Sequence, residues 1–146
     1  RGKLKGEVIV QTHQPDHPVL DQLFTQGYRP LALQLLQQRQ QGMLPPYRPL
    51  AVIRAESSYP NQAMEFLNLA RKLCDHQQTI EPNIQYLGPL PALMEKRAGR
   101  FRFIIQVTAS QRGQLQRCLG AVANQLENEK LAQKVRWSID IDPQEL

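Results

Sequence analysis

Leu87-Gly88-Pro89-Leu90-Pro91-Ala92-Leu93-Met94-Glu95-Lys96-Arg97-Ala98-Gly99-Arg100-Phe101-Arg102-Phe103-Ile104-Ile105-Gln106-Val107 sets the terms for the rest of the chain. Its last part alternates cationic and apolar residues, and alternation at period two is the signature of a strand. Phe101, Phe103, Ile105 and Val107 then share one face. Arg100, Arg102 and Gln106 share the other, with Ile104 between them. The aromatic face has to be covered, and the arginine face has to stay wet. Upstream, Pro89 and Pro91 exclude a regular helix, so a turn-rich segment is expected there. It leads into a basic loop from Lys96 to Gly99.

Three more strands flank this one. Leu50 to Glu56 and Asn83 to Leu87 precede it, and Val135 to Ile141 follows. In the last, Val135, Trp137, Ile139 and Ile141 alternate with Arg136, Ser138 and Asp140. Between strands the period changes to that of a helix. Ser57-Ser58-Tyr59-Pro60 caps a helix that reaches Gln77, with Ala63, Phe66, Leu67, Ala70, Leu73 and Cys74 on its inner face. Ser110 caps the last helix, where Leu115, Leu119, Val122 and Leu126 recur on one side. The expected fold is α+β: a four-stranded antiparallel sheet in β-α-β-β-α-β order with both helices on one face. Arg100, Arg102 and Arg136 are then left on the uncovered face.

Ahead of this domain, residues 49–146, the pattern differs. Glu7-Val8-Ile9-Val10-Gln11-Thr12 reads as a strand, with Gly6 before it and the polar His13 to Pro18 loop after it. No nearby segment pairs with it, so its sheet is expected outside this chain. Residues 15–48 read as a two-helix linker. One helix starts at Asp16-His17-Pro18, carries Val19, Leu20, Leu23 and Phe24, and ends at Gly27. The other runs from Pro30 to Gln41 and stops at Gly42. Its wide stripe of Leu31, Leu33, Leu35 and Leu36 is expected to be pinned against something. Pro45-Pro46-Tyr47-Arg48-Pro49 reads as a rigid boundary. Because the chain opens on Arg1 and not Met, it is expected to be a piece of a longer protein.

A hydrophobic share of 41% and a charged share of 21% place the chain among ordinary globular proteins and not disordered ones. No apolar run approaches the ~18 residues that a membrane span needs. The net charge of +5 favours polyanionic partners. From Lys96 to Asn124 there is no acidic residue, while Lys96, Arg97, Arg100, Arg102, Arg112 and Arg117 all fall there. One sign of charge over such a span makes a local field to which phosphates respond. Lys96, Arg97, Arg100, Arg102 and Arg136 are therefore the candidate nucleic-acid contacts. Contacts of this kind are phosphate-directed and weakly selective for sequence.

No phosphate-cradling loop, dinucleotide fingerprint or nucleophile with a base partner is present, so no catalytic residue is assigned. Cys74 and Cys118 lie in helical patterns and read as buried reduced thiols. They form no Cys-x-x-Cys pair, and no metal site is assigned. Asp140 and Asp142 share a strand face and are the best carboxylate pair for a hard cation, but they read better as a charged strand end closed by Pro143. An RNA-recognition reading rests on Gly99 to Ile104 in the third strand. Against it, Leu50 to Ala55 offers no stacking aromatic, and Phe101 and Phe103 at this parity belong to the core. A pure protein-interaction module is the other alternative.

Several motifs, taken together, point to a family. Gly6-Glu7-Val8-Ile9-Val10-Gln11-Thr12-His13 with Pro15-Asp16-His17-Pro18 resembles the segment that closes the second helicase lobe of the primosomal protein N′ (PriA) family of replication-restart helicases. Pro45-Pro46-Tyr47, Leu87-Gly88-Pro89-Leu90-Pro91-Ala92, Gly99-Arg100-Phe101-Arg102-Phe103, and Val135-Arg136-Trp137 with Asp140-Ile141-Asp142-Pro143 are similar to that family's C-terminal domain. The order and spacing fit along essentially the whole chain.

The resemblance implies a parent enzyme that unwinds DNA 3′ to 5′ with ATP and Mg, recognises branched DNA and helps assemble the primosome. Residues 1–14 would be the tail of its second helicase lobe, with Arg1 at the last arginine of the final helicase motif. The ATP site and structural Zn would lie upstream, so this fragment itself needs no cofactor. The implied partners are forked and single-stranded DNA, the acidic C-terminal tail of single-strand DNA-binding protein, and other primosome proteins, with no membrane. The implied location is the bacterial cytoplasm, at the nucleoid. The positions that match the tail-docking site are Arg112 and Gln116, one turn apart at the start of the last helix. An arginine fork there suits a terminal carboxylate.

Overall fold

The computed structural model describes residues 6–78, 80 and 83–143. Arg1 and its proposed place in a helicase motif lie outside them. The chain forms two compact units, Arg1–Gln38 and Arg39–Leu146.

The first unit holds helix α1 (Pro18–Gln26) and most of α2 (Tyr28–Gln41). His17 caps α1, its Nδ1 accepting from the Val19 N–H at 3.2 Å. Gly27 ends it at φ 82, a conformation that glycine adopts without steric cost. The Gln22 amide then donates to Gln34 Oε1 at 2.6 Å, joining the two helices. Of the α2 leucines only Leu31 is buried, while Leu33, Leu35 and Leu36 are exposed. Glu7 to Thr12 belongs to no helix or strand, and Val8 and Ile9 are almost fully exposed. A strand exists only through pairing, and among the described residues this segment has no partner.

The second unit is the α+β domain. Strands β1 (Leu50–Ser57), β2 (Ile84–Arg97), β3 (Arg100–Ala109) and β4 (Arg136–Ile141) form one antiparallel sheet in the order β2-β3-β1-β4. Helices α3 (Pro60–Gln78) and α4 (Arg112–Glu127) cover one face. Phe66, Leu67, Ala70 and Cys74 of α3 meet Leu115, Leu119, Val122 and Leu126 of α4 over Ile53, Ile105 and Val107, all buried in one cluster. The Phe66 and Trp137 rings lie 5.5 Å apart and tilted by 38°. Burying a side chain such as Phe66 is worth about 1.5–3 kcal/mol. Parity in β3 and β4 is as the sequence indicates: Phe103 is buried and Phe101, Trp137, Ile139 and Ile141 pack against the core.

Four local expectations change. Asn83–Leu87 is not a short strand followed by a turn: β2 runs on through Pro89 and Pro91 to Arg97. It is an edge strand, where proline is tolerated because no outer neighbour needs its missing N–H. Bulges between Leu87 and Leu90 and between Pro91 and Lys96 take up the mismatch with β3. Gly88 sits in the first bulge at φ +116, where a Cβ would lie 2.7 Å from the Ile104 carbonyl oxygen. Arg71 of α3 holds this bulge, its guanidinium donating to the carbonyls of Tyr86 at 3.3 Å and Gly88 at 3.4 Å.

The basic loop shrinks to a two-residue turn at Ala98 and Gly99, both with positive φ, 49 and 76. That is the hairpin geometry matched to strand twist, and it moves Lys96 and Arg97 into β2. At α4 the cap position falls to Gln111, whose side chain makes no capping bond. The Ser110 hydroxyl accepts instead from Arg48 at 3.2 Å. Finally, Arg48 and Pro49, where the segment read as a linker meets the domain, are bonded to the sheet, while Arg39 bonds within that segment. Arg39 donates to the Pro45 carbonyl at 3.3 Å, Arg48 to Gln85 Oε1 at 2.9 Å, and the Ala109 N–H to the Pro49 carbonyl at 3.2 Å.

Candidate nucleic-acid interface

The sheet face away from the helices is built from alternate residues of three strands. Their register sets them in rows across β4, β1 and β3. Arg136, Glu56 and Arg102 form one row; Ser138, Arg54 and Ile104 the next; Asp140, Val52 and Gln106 the third. At the hairpin end Arg97 pairs with Arg100. Val52 and Ile104 are buried there with Ala92, which comes from the irregular part of β2.

Glu56 stands among the arginines. Its carboxylate accepts from Arg136 at 3.3 Å and lies 3.9 Å from the Arg102 Nε. The Glu56 and Arg102 side chains are 23% and 25% exposed, whereas that of Arg136 is 74% exposed. Arg54 pairs with Asp140 at 3.6 Å. Such partly exposed pairs contribute little stability, about 0–1 kcal/mol each, so they can open at low cost. Two hollows adjoin here. One, of about 380 Å³, is lined by Arg54, Glu56, Ala92, Arg102, Ile104, Arg136 and Ser138 among others. The other, of about 240 Å³, is lined by Glu56, Arg97, Ala98, Arg100, Arg102 and Arg136.

Of the five candidate contacts, Arg97, Arg100, Arg102 and Arg136 come together around the second hollow. Lys96 does not join them. It pairs with Phe101, and its ammonium sits 4.8 Å from that ring's centroid, on the parity of the helix-covered face. Sequence reasoning missed Glu56 and Arg54. The signal was the period-two spacing of Val52, Arg54 and Glu56 in β1, but the stretch without acids in β3 hid a carboxylate that strand pairing delivers.

Arg112 and Gln116 are both exposed at the start of α4. Arg112 is engaged, with Asp142 Oδ2 at 2.7 Å. Asp142 lies just past β4 at φ 55. Asp140 and Asp142 therefore serve different arginines and do not converge. No group of three or more His, Cys, Asp or Glu placed to hold a metal ion occurs among the described residues. Cys74 and Cys118 are both buried and form no disulfide. Burial, with Cys118 nearby, pushes the Cys74 thiol up to about 12. The Tyr86 hydroxyl, 3.5 Å from Cys118 Sγ, is also raised, by burial first and then by that hydrogen bond.

Helices on one face and rows of paired charge on the other define an open-faced α+β domain with an arginine-rich surface. The chain belongs to the family of the primosomal protein N C-terminal domain, whose model matches residues 40–144. It is 37% identical over 146 residues to the replication restart protein PriA of Haemophilus influenzae, a match that takes in 100% of this chain and 20% of that protein. The Synechocystis protein of the same name is 32% identical over 107 residues, 73% of this chain and 13% of its own length. The Rickettsia conorii protein is 27% identical over 143 residues, 98% of this chain and 21% of its own length. The chain thus spans about a fifth or less of these relatives.

Proposed function

We propose that this chain is the C-terminal DNA- and partner-binding part of a replication-restart protein, with the open sheet face as its DNA contact. The parent would be an ATP-dependent 3′-5′ helicase acting at forks and in primosome assembly. ATP, Mg and structural Zn would belong to parts of that protein outside this chain. The observation that carries the reading is the convergence of Arg97, Arg100, Arg102 and Arg136 on the sheet face opposite α3 and α4. Phosphate oxygens suit such guanidinium forks, and contacts of this kind favour charge over sequence. Burial of Phe103 and packing of Phe101 against the core argue against base stacking on those rings.

Fluorescence anisotropy of forked and single-stranded DNA across a salt series tests this. Each phosphate contact contributes roughly 0.7 to the log–log salt slope on a single strand. Replacing Arg97, Arg100 and Arg102 together by Glu should weaken binding at every salt concentration and flatten the slope by about 2. Binding that ignores salt, or survives that replacement, would overturn the reading. The acidic tail of single-strand DNA-binding protein is proposed for the second surface, at Arg112 and Gln116.

A further inference from the structure

The hollow beside Arg54 and Ser138, the larger of the two that meet at Glu56, has a composition that phosphate binding does not require. Its floor is apolar: Ala92 and Ile104 line it, and both are buried with Val52. Its wall carries a carboxylate, which would repel a phosphate. Beside Ala92, where β2 bulges between Pro91 and Lys96, Leu93 is 95% exposed and Met94 56%. An apolar floor, an acceptor beside a donor, and a flanking cationic hollow suit one unpaired nucleobase with its phosphate alongside.

We infer that this hollow takes a single unstacked guanine of a DNA strand, read by Glu56 together with Arg136. The inference rests on the reading of the open face as a DNA contact. Guanine is the base that puts two adjacent donors, N1–H and N2–H, on its Watson–Crick edge, and its O6 and N7 accept from an arginine fork. A carboxylate has about four acceptor sites, so Glu56 keeps capacity beyond its two arginine neighbours. Cytosine and adenine each offer one exocyclic donor beside an acceptor. Thymine offers one donor between two acceptors. Each would leave a carboxylate lone pair facing another acceptor, which is unfavourable out of water. Arg136, mostly exposed and bonded to Glu56 at 3.3 Å, can swing to O6 and N7. Arg97 and Arg100 line only the adjoining hollow, where the phosphate next to the base would lie, and the two hollows share Glu56, Arg102 and Arg136.

The test is anisotropy with the whole chain, comparing oligothymidylate with the same oligonucleotide carrying one central dG, dA, dC or deoxyinosine. The single dG should tighten binding by about tenfold, the scale of one well-formed bidentate base contact. Deoxyinosine, which lacks the N2 amino group, should lose most of that gain. Glu56→Gln removes a negative charge without changing shape. It should erase the dG preference while strengthening oligothymidylate binding, because a charge that repels phosphate is gone. Opposite effects on the two oligonucleotides are not what a merely structural Glu56 would produce. Equal binding of all bases by the wild-type chain, with binding still lost on arginine reversal, overturns the guanine site and leaves the phosphate reading standing. Loss of oligothymidylate binding in Glu56→Gln also overturns the site. No binding to any oligonucleotide overturns both.

Discussion

Glu56 and Arg136 meet across 80 residues of sequence, and neither has a neighbour in the chain that announces the other. Arg54 and Asp140 are a second such pair. The arginines were legible one strand at a time, because parity within a strand is local. Their carboxylate partners were not, because register between strands is decided by the whole sheet. Cys74 shows the reverse case, where burial was readable from helical spacing alone. Its consequence is a pH dependence. The ordinary thiol value of 9.0 applies to the unfolded chain, while the folded thiol is pushed up to about 12. Between those values the unfolded chain releases a proton that the folded chain keeps, so stability is full below about 9 and falls as pH rises towards 12. Tyr86, raised in the same direction, adds to the loss. Urea denaturation across that window should show a midpoint that drops with pH, and Cys74→Ala should flatten the drop. A midpoint that stays constant would contradict the burial of this thiol.

At the level of elements, β2 is the instructive one. Two prolines and a glycine read locally as a turn, and the structure makes them the bulged edge of a sheet. Proline forbids a helix, but it forbids a strand only where a neighbour needs its N–H. What keeps β2 in place lies elsewhere in the chain: Arg71 of α3 on the carbonyls of Tyr86 and Gly88, and Gln78 donating to the Ile84 carbonyl at 2.9 Å. Helix α4 carries the second proposed surface. Asp142 holds Arg112 at 2.7 Å, so an incoming carboxylate has to displace an internal one. Asp142→Asn removes that competitor's charge. Calorimetric titration with an acidic tail peptide should then give tighter binding by about two- to fivefold, the scale of one exposed ion pair. Weaker binding in this variant, or binding unchanged by Arg112→Ala, would argue against the docking role of Arg112.

For the whole molecule, the division at Gln38 and Arg39 matters most. The second unit contains the full four-stranded sheet and the cluster between it and α3 and α4. A single core of that kind is enough for cooperative folding at this size. A chain of residues 39–146 should therefore unfold in one two-state transition, with a midpoint close to that of its unit in the whole chain. Calorimetry would show it, and a broad, non-cooperative melt would mean that residues before 39 complete the core. The first unit gives no such expectation, since Val8, Ile9, Phe24 and Leu33 are exposed apolar residues among those described. The net charge of +5 belongs to the chain as a whole, but four of its arginines gather on the sheet face opposite α3 and α4.

The sequence by itself determined the α+β class, the order of strands and helices, and which side of β3 and β4 is core. Those follow from periodicity, which each segment carries alone. Tertiary structure alone decided that Glu56 sits among the arginines, that Lys96 turns to Phe101 instead of joining them, that β2 is an edge strand, and that Asp142 occupies Arg112. Each of these depends on which strand lies beside which and in what register. That choice is made by the summed burial of the sheet and its helices, and not by any one stretch of the chain.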